Sequence, residues 1–305
     1  MTTIRLGTRG SKLALWQAQA VGDALKAAQP DMPEPELVVI ATTGDRVRDR
    51  RLAEIGGKGL FTKEIDAALL DGRIDAAVHS MKDVETWLTG GVVLAAMLPR
   101  EDPRDAFVCA IASTIAGLPR RARVGTASVR RTAQLLARRP DLDIVLLRGN
   151  VDTRLAKVRA GEVAATLLAY AGLKRLGLAG EATSILEADD LLPAAGQGAI
   201  GVTCRADDSD ALARLAAIDH GPTWAEVQAE RAVLARLDGS CRTPIAALAR
   251  VEGEVLNLTA MVLAPDGSRQ VTASRHGLAA DAAGLGDAVG LDLLDRGARG
   301  LLESA

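Results

Sequence analysis

RVGTASVRRTAQLLARRPDLDIVLLRGNVDTRLAKVRAGEVAATLLAYAGLKRL, residues 123–176, decides how the chain is read. Short apolar runs alternate with longer amphipathic ones. The pattern predicts strands at 123–125, 144–147 and 164–169 and helices over 129–137, 151–160 and 171–176, an alternation that implies parallel sheets with helical crossovers. Charge is concentrated here as well. Between Arg120 and Arg154 stand nine arginines (120, 121, 123, 130, 131, 138, 139, 148 and 154) against Asp141, Asp143 and Asp152, a net charge of +6 without a lysine. A solvated basic face accounts for Arg120, Arg121, Arg138 and Arg139. Arg130, Arg131, Arg148 and Arg154 cluster at strand-to-helix turns, GTASVRR and RGNVDTR, and AGLKR adds Arg175 at a third, five in all. The guanidinium is the preferred bidentate partner of carboxylate or phosphate, so an anionic ligand is inferred.

Upstream, Ile4–Gly7 reads as a strand and Lys12–Ala28 as a helix with Leu13, Trp16, Ala20, Val21 and Leu25 on one face and Ser11 as its N-cap. A glycine-containing turn into a helix N-terminus, with Arg9 beside it, is an anion site by construction. A second strand, 36–41, turns out through Thr42–Asp45. The charged segment 46–58 ends in Gly56-Gly57-Lys58, but Leu52 and Gly59 stand where a phosphate-binding P-loop needs Gly and Ser or Thr, so a surface loop is expected. A helix (61–70) and a strand (74–78) follow. At that strand's carboxyl end, where open α/β sheets bind ligands, stands His79-Ser80-Met81-Lys82-Asp83-Val84. Taken alone, the Lys82–Asp83 pair reads as a solvated surface pair.

Strands 92–97 and 106–110 are separated by Pro99–Arg104, a proline-bracketed crossing, and 192–198 is a second, glycine-rich one before a strand (199–205) and a helix (209–218). Two crossings imply two α/β lobes around a cleft: 1–98 with 197–218, and 104–193. Residues 220–305 read as a small α+β domain with a helix over 224–237, strands at 246–251, 255–263 and 270–274, and a last helix from Asp281. Gly239 is expected to end the first helix in a left-handed conformation. Cys241 then falls in a short loop between Ser240 and Arg242, where a thiol is presented outward or simply fills a corner.

The chain has 305 residues, 48% hydrophobic and 25% charged, which suits a soluble globular protein of two or three domains. The N-terminus lacks a signal-peptide core and no apolar run approaches the roughly 20 residues of a membrane helix, so a cytoplasmic protein is expected. Cys109, Cys204 and Cys241 lack CxxC spacing, which suggests neither a disulfide framework nor a zinc site, and Cys109 and Cys204 read as packing residues. His79, His220 and His276 are isolated, so no metal site is expected. Nucleic acid is disfavoured by a net charge of -2 and by only three Trp, one Tyr and two Phe for stacking on bases.

Nine motifs, in order, resemble the porphobilinogen deaminase (hydroxymethylbilane synthase) family: GTRGSKLALWQ, GGKGLFTKEID, AVHSMKDV, REDPRDAFV, VGTASVRR, LRGNVDTRL, AGLKRLGL, LPAAGQGAIGV and LDGSCRTPI. The resemblance implies two lobes like type II periplasmic binding proteins around a cleft, and a third domain whose cysteine, here Cys241, holds a dipyrromethane cofactor through a thioether. It implies Asp83 as the catalytic carboxylate, and Lys82, Asp83, Thr126, Ser128, Arg130, Arg131 and Arg175 around the cofactor. Arg9, Ser11, Lys58, Arg148, Arg154 and Gln197 are the implied substrate contacts. The implied reaction polymerises four porphobilinogen molecules into hydroxymethylbilane for tetrapyrrole biosynthesis, in a monomer without metal, nucleic acid or membrane. Departures are Glu54 in place of a frequent lysine, Glu85 of a proline, Thr203 of an acidic residue and Ser240 of a glycine. The chemistry agrees with the composition, because each porphobilinogen ring carries two carboxylates and loses ammonia to give an electrophilic azafulvene that a carboxylate can stabilise. Two rivals, a non-catalytic anion-binding protein and an arginine-rich nucleic-acid binder, have no use for a covalent pyrrole.

Overall fold

The computed structural model describes residues 2–46, 59, 61–240 and 243–303. Segment 47–58, with Glu54 and Lys58, lies outside the described residues, as does Cys241. The first sheet contains β1 (Arg5–Thr8), β2 (Glu36–Val39), β3 (Ala76–Ser80), β4 (Val92–Met97) and β10 (Ile200–Arg205) in the order β2-β1-β3-β10-β4. The second contains β5 (Asp105–Cys109), β6 (Arg123–Gly125), β7 (Asp143–Val145), β8 (Ala165–Ala169) and β9 (Ser184–Leu186) in the order β7-β6-β8-β5-β9. Both orders are one pattern, with the strand that arrives through a crossing in fourth place.

Neither sheet is purely parallel, contrary to the sequence reading. β10 runs antiparallel to β3 and β4, and β5 antiparallel to β8 and β9. These two strands enter from the opposite lobe rather than through a crossover helix, so the geometry that forces parallel neighbours does not act on them. The crossings lie against each other: the amide of Glu101 donates to the Gly198 carbonyl at 3.2 Å. A Cβ on Gly198, whose φ is +88°, would stand 2.2 Å from the Glu101 carbonyl oxygen, so glycine is required there.

The helices begin where short polar side chains cap them. Ser11 accepts from the Ala14 amide at the start of α1 (Lys12–Ala28), Ser128 from the Arg131 amide at α4 (Val129–Arg138), and Asn150 from the Thr153 amide at α5 (Val151–Arg159). Thr42–Asp45, expected as a turn, instead leads into a short helix, α2 (Thr43–Arg46), whose first amide donates to Glu64 of α3 (Lys63–Leu70). The buried face of α1 is Gln17, Ala18, Val21 and Leu25, and the expected Trp16 is 42% exposed. Trp16 turns instead towards the second lobe, its ring 5.7 Å from the guanidinium of Arg175 in α6 (Tyr170–Arg175). Arg139 is not simply solvated, since its guanidinium binds Asp141 and the carbonyls of Ile115, Ala116, Leu118 and Pro119.

After α7 (Ser209–Ala216), the third unit packs α8 (Gly221–Arg236), α9 (Ala282–Asp295) and α10 (Ala298–Leu302) on a sheet of β11 (Ile245–Glu252), β12 (Val255–Leu263) and β13 (Gln270–Leu278). Val233, Leu256, Leu258, Val289 and Leu293 form its core. α8 also reaches the crossings. Its Glu230, fully buried, binds Arg100 at 2.8 Å and accepts from the amides of Gly196 (2.6 Å) and Ala249 (2.8 Å). At the end of α8 it is Asp238, at φ 49°, and not Gly239, that turns left-handed. Aspartate tolerates that conformation. Gly239 serves a packing need instead, because a Cβ there would lie 2.5 Å from Ile245 Cδ1.

Candidate active site

β3 is central and buried, and delivers its carboxyl end into a single 3₁₀ turn, Met81–Asp83. Met81 and Val84 point down into an apolar floor with Met97, Ala199 and Val227, which leaves Lys82 and Asp83 at the mouth of the sheet. One cavity there is lined by Arg9, Ser11, Phe61, His79, Ser80 and Asp83 among others, so the turn after β1 and the turn after β3 meet. The Arg9 guanidinium lies 4.1 Å from the centre of the Phe61 ring. Gln17, not expected at the site, lines the same cavity and hydrogen-bonds Ser80 at 2.9 Å.

A second group of charges converges from the other lobe. Arg130 and Arg131, about 95% buried, share the two oxygens of the fully buried Asp105, at 2.8 and 2.6 Å. Their other contacts are the carbonyls of Leu192 and Leu167. Burial alone would raise the Asp105 carboxyl, but the two guanidiniums hold it far below the ordinary carboxylate range. Gln197 is also committed to the protein: its Nε2 donates to the Pro103 carbonyl (2.6 Å) and to Asp105 (3.0 Å), and its Oε1 accepts from Lys82 at 3.3 Å. Although partly accessible, Lys82 is pushed down to about 8 by burial, with Arg131 and Arg130 adding to the effect and Asp83 opposing it. Burial likewise lowers Arg154 to about 10, assisted by Arg131 and Arg148 and opposed by Asp83. Asp83 therefore stands within the field of cations from both lobes.

Thr126 and Ser128 form the turn between β6 and α4, where the Ser128 amide donates to Thr126 Oγ1. Arg175 lies apart from the Arg130–Arg131 pair, donating to the Gly198 carbonyl at 2.6 Å, and burial lowers it to about 10. Of the expected site residues, Lys58 and Cys241 are outside the described ones. Asp105 was missed because REDPRD offers three carboxylates and nothing in the sequence says which is buried; its place at the first residue of β5 is the distinguishing signal. Among the described residues no cluster of His, Cys, Asp and Glu could hold a metal. Nor is any helix among the described residues long and apolar enough to cross a membrane.

Residues 4–213 match the family model "Porphobilinogen deaminase, dipyromethane cofactor binding domain" and residues 224–295 match "Porphobilinogen deaminase, C-terminal domain". The chain belongs to the porphobilinogen deaminase family. The porphobilinogen deaminase of Paracoccus denitrificans (strain Pd 1222) is 54% identical over 294 residues, covering 96% of this chain and 94% of that one. The chloroplastic porphobilinogen deaminase of Oryza sativa subsp. japonica is 53% identical over 281 residues, 91% of this chain and 78% of that one. The solved structure of the methionine binding protein MetQ aligns with 70% of this chain and 88% of its own at 13% identity, with a TM-score of 0.45. A porphobilinogen deaminase carries a dipyrromethane, and the residues present fit such a polycarboxylate. The buried Nε atoms of Arg130 and Arg131 have no hydrogen-bond partner, and Lys82 and Arg154, both lowered by burial, add positive charge beside them.

His79 contributes a pH dependence to this family fold. Its Nε2 lies 3.0 Å from Thr203 Oγ1, and burial, helped by Arg9, pushes it down to about 4 from 6.5. The unfolded chain therefore takes up this proton first, and the stability it contributes, roughly 3 kcal/mol, is complete above pH 6.5 and lost as pH falls towards 4. In His79→Gln, which keeps a polar group opposite Thr203, the urea midpoint is expected to fall less between pH 7 and pH 5 than in the parent. An equal fall in both would remove His79 as the cause.

Proposed function

We propose that the chain is a transferase that deaminates porphobilinogen and joins four molecules head to tail on a dipyrromethane held by Cys241, releasing hydroxymethylbilane and ammonia. It acts in tetrapyrrole biosynthesis as a cytoplasmic monomer that binds neither nucleic acid nor membrane. Residues 1–98 with 197–218, 104–193 and 220–305 act as its two cleft lobes and its cofactor-bearing domain. The observation that carries this reading is the gathering of Lys82 and Arg154, both lowered by burial, around the Asp83 carboxylate, with Arg131 close by. When bound, the dipyrromethane supplies a tethered pyrrole acceptor and carboxylates for the arginines.

In this reading Asp83 lies against the pyrrole N–H of the substrate and opposes the positive charge that develops as ammonia leaves. Lys82, held by Gln197 and titrating near 8, is able to give or take a proton beside it. Arg130 and Arg131, fixed by Asp105, offer rigid donors to the cofactor carboxylates, with Thr126 and Ser128 at the same turn and Arg175 at the crossing. Arg9 and Ser11 of the first lobe, Arg148 and Arg154 of the second, and Lys58 receive substrate. Gln197, assigned to substrate by resemblance, supports Lys82 and Asp105 instead, since both ends of its amide are already bonded.

Because rings must move past fixed turns, arginines at different turns matter at different chain lengths. Arg131→Leu is expected to yield mostly apo-protein, whereas Arg148→Leu takes up cofactor and stalls with part-built chains. Native mass spectrometry after brief exposure to porphobilinogen reads the ladder. Each charge-assisted contact is worth roughly 1.5–3 kcal/mol, or at least tenfold in occupancy of a step. If both variants gave one distribution, or matched the exposed control Arg138→Leu, the ordered cleft would be replaced by a diffuse electrostatic one.

A further inference from the structure

The three residues after Asp83 are held from outside their own lobe. Val84, Glu85 and Thr86 run on from the 3₁₀ turn, and Arg231 on α8 reaches their carbonyl oxygens. Its Nη1 donates to Val84 at 3.4 Å and its Nη2 to Glu85 at 2.9 Å and Thr86 at 3.0 Å. A planar guanidinium presents its donors in a fixed fork, so three successive carbonyls bound to one such group are fixed relative to α8. Below them Val84 and Met81 pack on Val227, one turn earlier on the same helix, with Trp224 and Leu88 at the margin.

The same segment is tied to the loop that bears the cysteine. Thr86 Oγ1 donates to the Gly239 carbonyl at 2.7 Å, a bond spanning 153 residues of sequence. Gly239 is itself fixed, since its amide donates to the Leu234 carbonyl at 2.8 Å and Ile245 leaves no room for a side chain on it. Beyond it, Ser240 and Thr243 bond each other: the Ser240 amide donates to Thr243 Oγ1 at 3.0 Å, and the Thr243 amide to the Ser240 carbonyl at 3.1 Å. One helix, α8, therefore ends in the loop leading to Cys241 and, about one and a half turns earlier, clamps the loop leaving Asp83.

We infer that Thr86 and Arg231 are positioning residues that set the distance between the Asp83 carboxylate and the loop from which the cofactor is tethered. The inference rests on the roles proposed above for Asp83 and Cys241. An acceptor covalently bound to one loop is useful only if the charge on the other loop does not drift from it. Displacement by about 1 Å can cost on the order of 100-fold in rate, and Thr86 and Arg231 make the hydrogen bonds that limit such drift. A merely structural role would instead lower melting temperature without separating kcat from KM.

The test uses the cofactor-loaded enzyme. Thr86→Val keeps the volume and removes the donor; it is expected to lower kcat about tenfold with KM within about twofold, a smaller loss than a full 1 Å displacement would cause. Its melting temperature and intact mass should stay those of the parent. Thr86→Ser, which keeps the donor, should recover most of the rate. Arg231→Met should lose about 100-fold. Independently of activity, hydrogen exchange should quicken at 84–86 and 239–243 in Thr86→Val and Arg231→Met but not in Thr86→Ser. Parental kcat in Thr86→Val, or equal losses in Val and Ser, overturns the inference even if Arg231→Met fails to fold. Asp83→Asn, measured alongside, separates the two levels. If it is inactive while Thr86→Val is normal, only the positioning role falls; if it is active, the role of Asp83 falls and the inference with it.

Discussion

Asp83→Asn is expected to fold, to retain cofactor, and to lose orders of magnitude in rate. The side chain ends a 3₁₀ turn whose neighbours Met81 and Val84 are buried, so an isosteric amide leaves the packing untouched. The charge is what disappears. Asp83 is the carboxylate that opposes the depression of both Lys82 and Arg154 at the cleft. Without it a developing cation loses that negative charge, and Lys82, already near 8, titrates lower still. Asp83→Glu keeps the charge but moves it by a methylene, and a small residual rate is expected. Steady-state kinetics decide: Asn within about tenfold of Asp, roughly 1.4 kcal/mol in barrier, would make Asp83 a bystander.

Cys241→Ser is expected to give a folded protein with no stable cofactor and almost no turnover. Thiolate, not thiol, is the attacking form, and a serine hydroxyl is far weaker towards an electrophilic carbon. The other cysteines offer no substitute. Cys109 and Cys204 are buried in the two lobe sheets, and burial raises the Cys204 thiol to about 11. Intact mass before and after incubation with porphobilinogen reads the outcome. Parental activity, or a mass excess equal to the parent's, would falsify the attachment.

Much of this architecture was legible in the chain because its signals are local. The alternation over 123–176 and the two proline- and glycine-marked crossings yield two α/β lobes without reference to distant contacts. The Ser11 cap depends only on a residue three positions away. What the sequence concealed depends on pairing between residues 25 or more positions apart. The antiparallel direction of β5 and β10 arises from where the crossings deliver them. The β9 strand exists through its partner β5, and its three residues carry no periodicity of their own. At the site, the arginines were visible as a charge excess, but Asp105 was not, because a carboxylate among arginines looks the same in sequence whether it is solvated or fully buried. Gln197 was legible as a site residue in kind but not in role, since only the fold brings Asp105 and Lys82 to opposite ends of its amide. Glu85, which stands where a proline is common, accepts from the Gly59 amide at 2.8 Å, a contact no local pattern announces.

The most direct test of the central claim is peptide mapping by mass spectrometry of the purified protein, with Ehrlich's reagent applied to the same sample. The account predicts a coloured pyrrole adduct and the added mass of a dipyrromethane on the one peptide that contains Cys241. An unmodified Cys241 peptide from active protein, or the added mass on a peptide containing Cys109 or Cys204, would contradict it.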